Sequence, residues 1–173
     1  QESTVTVWCE PTKDSGSQGT GWAIELETSK SKTHPTTLIT NHHVIDECIG
    51  KDGTVTIALP YEDPTAAVIV NWDEENDLAV LATKKKLPGL ALSDNSPWSG
   101  YWVMAVGSAD GYEGSVSFGN VINTNTAEIV ITNNISPGSS GGPLVDNEGY
   151  VVGVTSWGLD LEQYNGAMSL DSF

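Results

Sequence analysis

The sequence predicts an all-β fold of two barrels or sandwiches packed into one domain, on three observations. Short segments rich in Val, Ile, Thr and Trp recur between Gly, Pro, Asp and Asn punctuation. No long stretch carries helical periodicity. The segments also fall into two series of about six on either side of a connector. A cleft between two such halves is a favoured place for an active site.

The first series begins at Thr4–Cys9, which ends before Pro11, and continues with Gly21–Leu26, entered through glycine. Thr37–Thr40 follows His34-Pro35, Thr54–Leu59 lies between Gly53 and Pro60, and Ala66–Trp72 follows Pro64. Leu78–Thr83, opened by Asn76-Asp77, closes the series. The connector is Lys84–Gly100, with Pro88, Gly89, Pro97 and Gly100 and little periodicity. Tyr101–Val106 then runs from Gly100 to Gly107, Ser115–Thr124 follows Gly114, and Glu128–Thr132 comes next. Pro143–Val145 follows Gly141-Gly142, Tyr150–Trp157 lies between Gly149 and Gly158, and Ala167–Leu170 follows Gly166. The expected organisation is one domain over 1–173, with halves 1–83 and 101–173 joined by 84–100.

Composition bounds the partners. A chain of 173 residues with 38% hydrophobic residues and six Trp can bury a sizeable core. The net charge of −16, with seven Lys and Arg, argues against nucleic acid and anionic membranes, which need basic clusters. Lys84-Lys85-Lys86 is the one basic run and reads as a solvated turn. No apolar run approaches the roughly 18 residues of a membrane span, and the basic-then-apolar start of a signal peptide is missing. A soluble protein whose export signal has been removed is expected. Two cysteines, Cys9 and Cys48, allow either one disulfide and an extracytoplasmic location, or two buried thiols.

The chemistry gathers at Ser136-Pro137-Gly138-Ser139-Ser140-Gly141-Gly142-Pro143-Leu144, a glycine-dense turn leading into an apolar strand. By itself it reads equally as a solvated turn or as a nucleophile loop whose amides point at one spot. Ser140 is the candidate nucleophile, and a serine nucleophile needs a base with a third group to orient it. Of three histidines, His34 lies in a polar loop. His42 and His43 stand where the apolar segment Leu38–Thr40 ends and the chain turns, and one of the two can face a cleft. The pair has no third ligand nearby in sequence for a metal. The orienting acid is one of 23 Asp and Glu residues. Asp77 stands out at the mouth of an apolar strand, whereas Asp73, Glu74 and Glu75 read as a solvated loop without calcium-loop spacing.

In order along the chain, Thr40-Asn41-His42-His43-Val44, Asn76-Asp77-Leu78-Ala79-Val80 and Pro137-Gly138-Ser139-Ser140-Gly141-Gly142-Pro143 resemble the chymotrypsin-like (trypsin-like) serine protease superfamily, most closely its bacterial Do-like (HtrA-type) branch. Gly19-Thr20-Gly21-Trp22, Trp102–Gly107 and Tyr150–Gly158 extend the likeness over nearly the whole chain. The resemblance implies two perpendicular six-stranded β-barrels with the active site between them. It selects His43, the His directly before Val, as base, with Asp77 and Ser140 completing a triad. It places the oxyanion hole at Gly138, Ser139 and Ser140, and substrate contacts at Ser156, Trp157 and Gly158.

The resemblance further places Asn134 at the base of the primary pocket and leaves its walls open at Gly158 and Gly166. With no Asp at that base, and Thr155 where glutamate-specific relatives carry His, an uncharged residue is the expected preference. The implied fold also brings Cys9 near Cys48, a bridge unlike the commonest trypsin-type ones. The expected activity is serine endopeptidase, without cofactor or metal, acting as a monomer on protein or peptide outside the cytoplasm. A silent protease-fold scaffold and an esterase with the same triad are the rival readings; the esterase lacks the strand-to-helix elbow such enzymes use. Ser139 stands where pancreatic-type enzymes carry an Asp that pairs with a newly cut N-terminus, so activation by that cut is not expected. The chain stops at Phe173, where relatives begin a C-terminal helix, and it contains no PDZ module.

Overall fold

The structure, a computed structural model, describes residues 1–26, 31–50, 53–158 and 165–169. Among the described residues twelve strands form two closed antiparallel barrels. The first contains β1 (Thr4–Thr12), β2 (Ser15–Ala23), β3 (Thr36–Thr40), β4 (Thr54–Ala58), β5 (Thr65–Asp73) and β6 (Leu78–Thr83), in the order β1-β2-β3-β6-β5-β4. The second contains β7 (Trp102–Gly107), β8 (Ser115–Thr124), β9 (Glu128–Ile131), β10 (Pro143–Val145), β11 (Val151–Gly158) and β12 (Asn165–Ser169), in the order β10-β11-β12-β9-β8-β7. One short α-helix, α1 (His42–Ile45), runs into a 3-10 turn at Asp46–Cys48. Among the described residues no helix is long and apolar enough to cross a membrane.

Every expected segment is a strand, and the departures lie at strand ends. The strand expected from Gly21 begins six residues earlier, at Ser15. A two-residue turn at Lys13-Asp14 returns the chain so that Ser17 pairs with Cys9 and Gln18 with Trp8. The end of β2 differs for a tertiary reason, because Ile24 leaves the barrel to bridge Leu90 in the connector. Leu170, the expected end of the last strand, and Phe173 lie outside the described residues.

Three apolar clusters explain how the barrels hold a site between them. Val7, Leu38, Ile57 and Leu81 fill the first barrel, and Val103, Ile129, Ile131 and Leu144 fill the second. The middle cluster is shared, with Trp22, Ile39 and Leu78 from one barrel against Val145, Val154 and Met168 from the other. The connector fastens both sides. Leu90 N–H donates to Ala23 and Glu25 N–H to Leu90, while Val151 N–H donates to Ala91 and Ser93 N–H to Val151. A residue at the end of a first-barrel strand therefore has a fixed position relative to the second barrel, because apolar burial between them is closely packed and does not slide.

Candidate active site

His43 owes its place to a change of structure. β3 ends at the buried Thr40, and α1 follows, burying Val44 and Ile45 while leaving the histidines outward. A disulfide between Cys9 and Cys48, with Cα atoms 6.0 Å apart, ties the following 3-10 turn to β1. Asp77 is placed by a turn. The Asp73 carboxylate accepts from Asn76 N–H at 3.1 Å and Asn76 Nδ2 at 2.7 Å, closing the end of β5 toward β6. Asp73 is thus a turn-forming residue rather than only a solvated one. Asp77 itself has φ +50°, an uncommon left-handed conformation that short polar side chains tolerate.

The Asp77 carboxylate gathers three donors. Oδ1 accepts His43 N–H at 3.0 Å, while Oδ2 accepts His43 Nδ1–H at 2.8 Å and Ser156 Oγ–H at 2.7 Å. Asn41 Nδ2 also donates to the Asp77 carbonyl at 2.7 Å. Burial pushes the Asp77 carboxyl upward, but the side-chain and backbone hydrogen bonds from His43 and the Ser156 hydroxyl outweigh it, so its pKa lies below the ordinary carboxylate value. The His43 imidazole is raised above its ordinary value. The hydrogen bond to Asp77 dominates, against an opposing desolvation and with added attraction from Asp77 and Asp46. With Nδ1 donating to Asp77, neutral His43 leaves Nε2 as a free acceptor.

Ser140 enters from the other barrel, just before β10. Its hydroxyl donates to the Ser156 carbonyl at 3.3 Å, and among the described residues no hydrogen bond joins it to His43. The same Ser156 therefore holds Asp77 with its hydroxyl and Ser140 with its carbonyl. Gly138 has φ +90° and Gly141 φ +89°, and a side chain on either would collide with backbone, Ser108 O in one case and Thr20 O in the other. Among the described residues, neither Gly138 N–H nor Ser140 N–H donates to a protein acceptor. Ser139 N–H, by contrast, is taken by Ser136 O at 3.0 Å.

The pocket residues are less concentrated. Asn134 is exposed, takes an N–H bond to Ser117 Oγ at 2.8 Å, and opens on a cavity of about 200 Å³ shared with Gly107, Ser117, Ser136 and Ser139. Gly166 is buried and pairs across the sheet with Val130 and with Trp157. Trp157 and Gly158 continue β11, with the Trp157 side chain outside the described residues. Thr20, which sequence reasoning did not assign to the site, and Thr155, which it used only to argue the pocket's preference, lie with their hydroxyls behind the Gly138–Gly142 turn. The signal for Thr20 was its flanking glycines, which announce close approach on both sides. His34 stays in its polar loop, bonded to Thr33. Among the described residues no group of three or more His, Cys, Asp or Glu is arranged to hold a metal.

The family model described as a trypsin-like peptidase domain matches residues 19–154. Among curated proteins, the chain is 38% identical over 129 residues to a protein of Hahella chejuensis named "Probable periplasmic serine endoprotease DegP-like", covering 69% of this chain and 27% of that one. The chain spans about a quarter of the length of the curated relatives it matches. Among solved structures, the serine endoprotease from Yersinia pestis superposes with a TM-score of 0.81 at 23% identity, covering 97% of this chain and 58% of that chain. The active form of the Rv3671c protease from M. tuberculosis gives 0.80 at 22%, covering 98% and 76%. At these identities the two structures speak for the fold.

Proposed function

Because the chain belongs to the trypsin-like peptidase family, we propose that it is a serine endopeptidase in which Ser140 is the nucleophile, His43 the general base and acid, and Asp77 the group that orients and stabilises the imidazolium. The observation that carries the reading is one seam between the barrels where a carboxylate-held imidazole, a serine on a glycine turn and two amides with no acceptor among the described residues occur together.

The chemistry follows from those positions. Ser140 Oγ turns from the Ser156 carbonyl toward His43 Nε2, which takes its proton as Oγ attacks the peptide carbonyl. The oxyanion is received by Gly138 N–H and Ser140 N–H, donors that among the described residues are free of protein acceptors and so give up no protein hydrogen bond there. His43 then returns the proton to the departing amine, leaving an acyl ester on Ser140. Water, activated by the same imidazole, releases the acid and restores Ser140. Protein or peptide substrates and a place outside the cytoplasm are parts of the same proposal. The disulfide supports the second, since such bonds persist in oxidising compartments, as do the relatives named periplasmic.

A fluorophosphonate probe tests the assignment. Wild-type protein is expected to be labelled at one site, with Ser140→Ala unlabelled and His43→Ala slowed by several orders of magnitude. Labelling that persists in Ser140→Ala would defeat the nucleophile assignment, and a wild-type protein that resists the probe would favour a scaffold instead.

A further inference from the structure

Two buried threonines, one from each barrel, reach the back of the Ser136–Gly142 turn, and the chemistry above leaves their hydroxyls without a role. Thr20, on β2, is fully buried, and Thr155, on β11, is 1% exposed. Thr20 Oγ1 donates to the Gly138 carbonyl at 2.7 Å and accepts Ser108 N–H at 2.9 Å, so its single hydrogen is committed to Gly138. Ser108 is itself held by a hydroxyl contact of 2.5 Å to Thr6. Thr155 Oγ1 lies 2.8 Å from the Ser139 carbonyl and 3.1 Å from that of Gly142. The backbone joins the same grip, with Thr20 N–H donating to Ser140 O at 2.8 Å and Gly142 N–H to Ser139 O at 3.1 Å.

In a trans peptide the C=O and the following N–H point in opposite directions. A carbonyl pinned at the back of the turn therefore aims the next amide out of the front. The Pro137 carbonyl, held by Asp110 N–H at 2.7 Å, aims Gly138 N–H; the Ser139 carbonyl, held by Thr155, aims Ser140 N–H. Between them lies Gly138, the residue with the greatest freedom to let a flanking peptide flip. A flip of the Pro137–Gly138 peptide would put a carbonyl oxygen where a donor is needed. Thr20 holds the other peptide plane at Gly138, so that both planes are pinned. Ser139 carries no charge, and among the described residues no ion pair reaches the turn to do this work.

We propose that Thr20 and Thr155 are positioning residues whose hydroxyls hold the consecutive carbonyls of Gly138 and Ser139, keeping Gly138 N–H and Ser140 N–H aimed at the reacting oxygen before substrate arrives. The inference rests on the protease reading and adds what holds its oxyanion site together. The variants Thr20→Val and Thr155→Val keep the shape and remove the hydroxyl; Thr20→Ser and Thr155→Ser keep the hydroxyl.

The assay is peptide hydrolysis as a function of pH, beside the rate of fluorophosphonate labelling. Each Val variant is expected to lose about 10²-fold or more in kcat, the scale of a lost oxyanion donor, with KM within about threefold and the pH limb of His43 unmoved. Each Ser variant is expected to stay within about threefold of wild type. A Val variant with kcat within threefold of wild type overturns the proposal, as does a Ser variant that falls as far as its Val counterpart. Should a Val variant fail to fold by circular dichroism, the Ser variants carry the test. Retention of kcat within threefold upholds it, and a tenfold fall overturns it. A wild-type protein that neither cleaves nor labels overturns the protease reading and this inference with it. Reactive wild type beside equally reactive Val variants overturns this inference alone.

Discussion

Asp77 and His43 shift each other in ways that set two ends of a pH window. The His43 imidazole, raised above 6.5 chiefly by its hydrogen bond to Asp77, contributes stability that is fully present below 6.5 and is lost as pH rises through the raised value. Asp77, lowered from 3.8, contributes stability present above 3.8 and lost as pH falls through the depressed value. With the His43 side chain 47% exposed, solvent screens the pair, and its worth lies more in the orientation of the ring than in folding energy. In the proposed chemistry the sign is opposite to that of His43 stability, because a general base must be neutral. The rate kcat/KM is therefore expected to rise with pH along a limb centred above 6.5. Asp77→Asn removes the cause of the raised pKa and the acceptor that fixes the tautomer. Its limb is expected to move down in pH while kcat falls by about 10⁴. A pH–rate profile of both proteins checks this, and an unmoved limb in Asp77→Asn would remove Asp77 from the proposed role.

At the level of elements, the short helix that presents His43 is too brief to hold itself, since isolated turns of helix do not persist in water. It is anchored by Val44 and Ile45 below and by the Cys9–Cys48 bond just beyond. The bond joins residues 39 apart in sequence, and the chain-entropy relation puts such a closure at about 4 kcal/mol. Cys48→Ser is expected to lower the unfolding free energy by roughly 2–5 kcal/mol and to reduce activity through His43. Chemical denaturation with and without reductant measures it, and an oxidised wild type no more stable than the variant would refute it. The same elements show what the residues disclosed in advance. The strands were legible because apolar and β-branched runs declare themselves within a few residues. The start of β2 was not, because Ser15-Gly16-Ser17-Gln18 becomes strand only by pairing with β1. Three motifs pointed to His43, Asp77 and Ser140 as candidates, yet the grip of Thr20 on Gly138 joins residues 118 apart and leaves no local trace beyond two glycines. Thr155, likewise, is read in the sequence only as the residue standing where glutamate-specific relatives carry His, and its hydroxyl turns to the back of the turn.

For the whole molecule, the proposed chemistry depends on two barrels keeping register, because His43 and Asp77 belong to one and Ser140 to the other. The shared cluster around Trp22 and the connector bridges at Leu90 and Leu92 make that register part of folding itself. A net charge of −16 opposes compaction through self-repulsion, which raises the demand on this apolar seam. Trp22 is fully buried at the seam, and truncating so large a side chain leaves a cavity worth about 3–5 kcal/mol against a total of roughly 5–15. Among the described residues its Nε1–H has no hydrogen-bond partner, so Trp22→Phe discards a buried donor unpaired there along with part of the ring and is expected to cost clearly less than Trp22→Ala. Both variants should still unfold in one transition, with far-UV dichroism and tryptophan fluorescence coinciding at a lowered denaturant midpoint. Two separated transitions in the wild type, or a Trp22→Ala variant that melts the first barrel and leaves the second folded, would mean that the barrels are held in register by something other than their shared core.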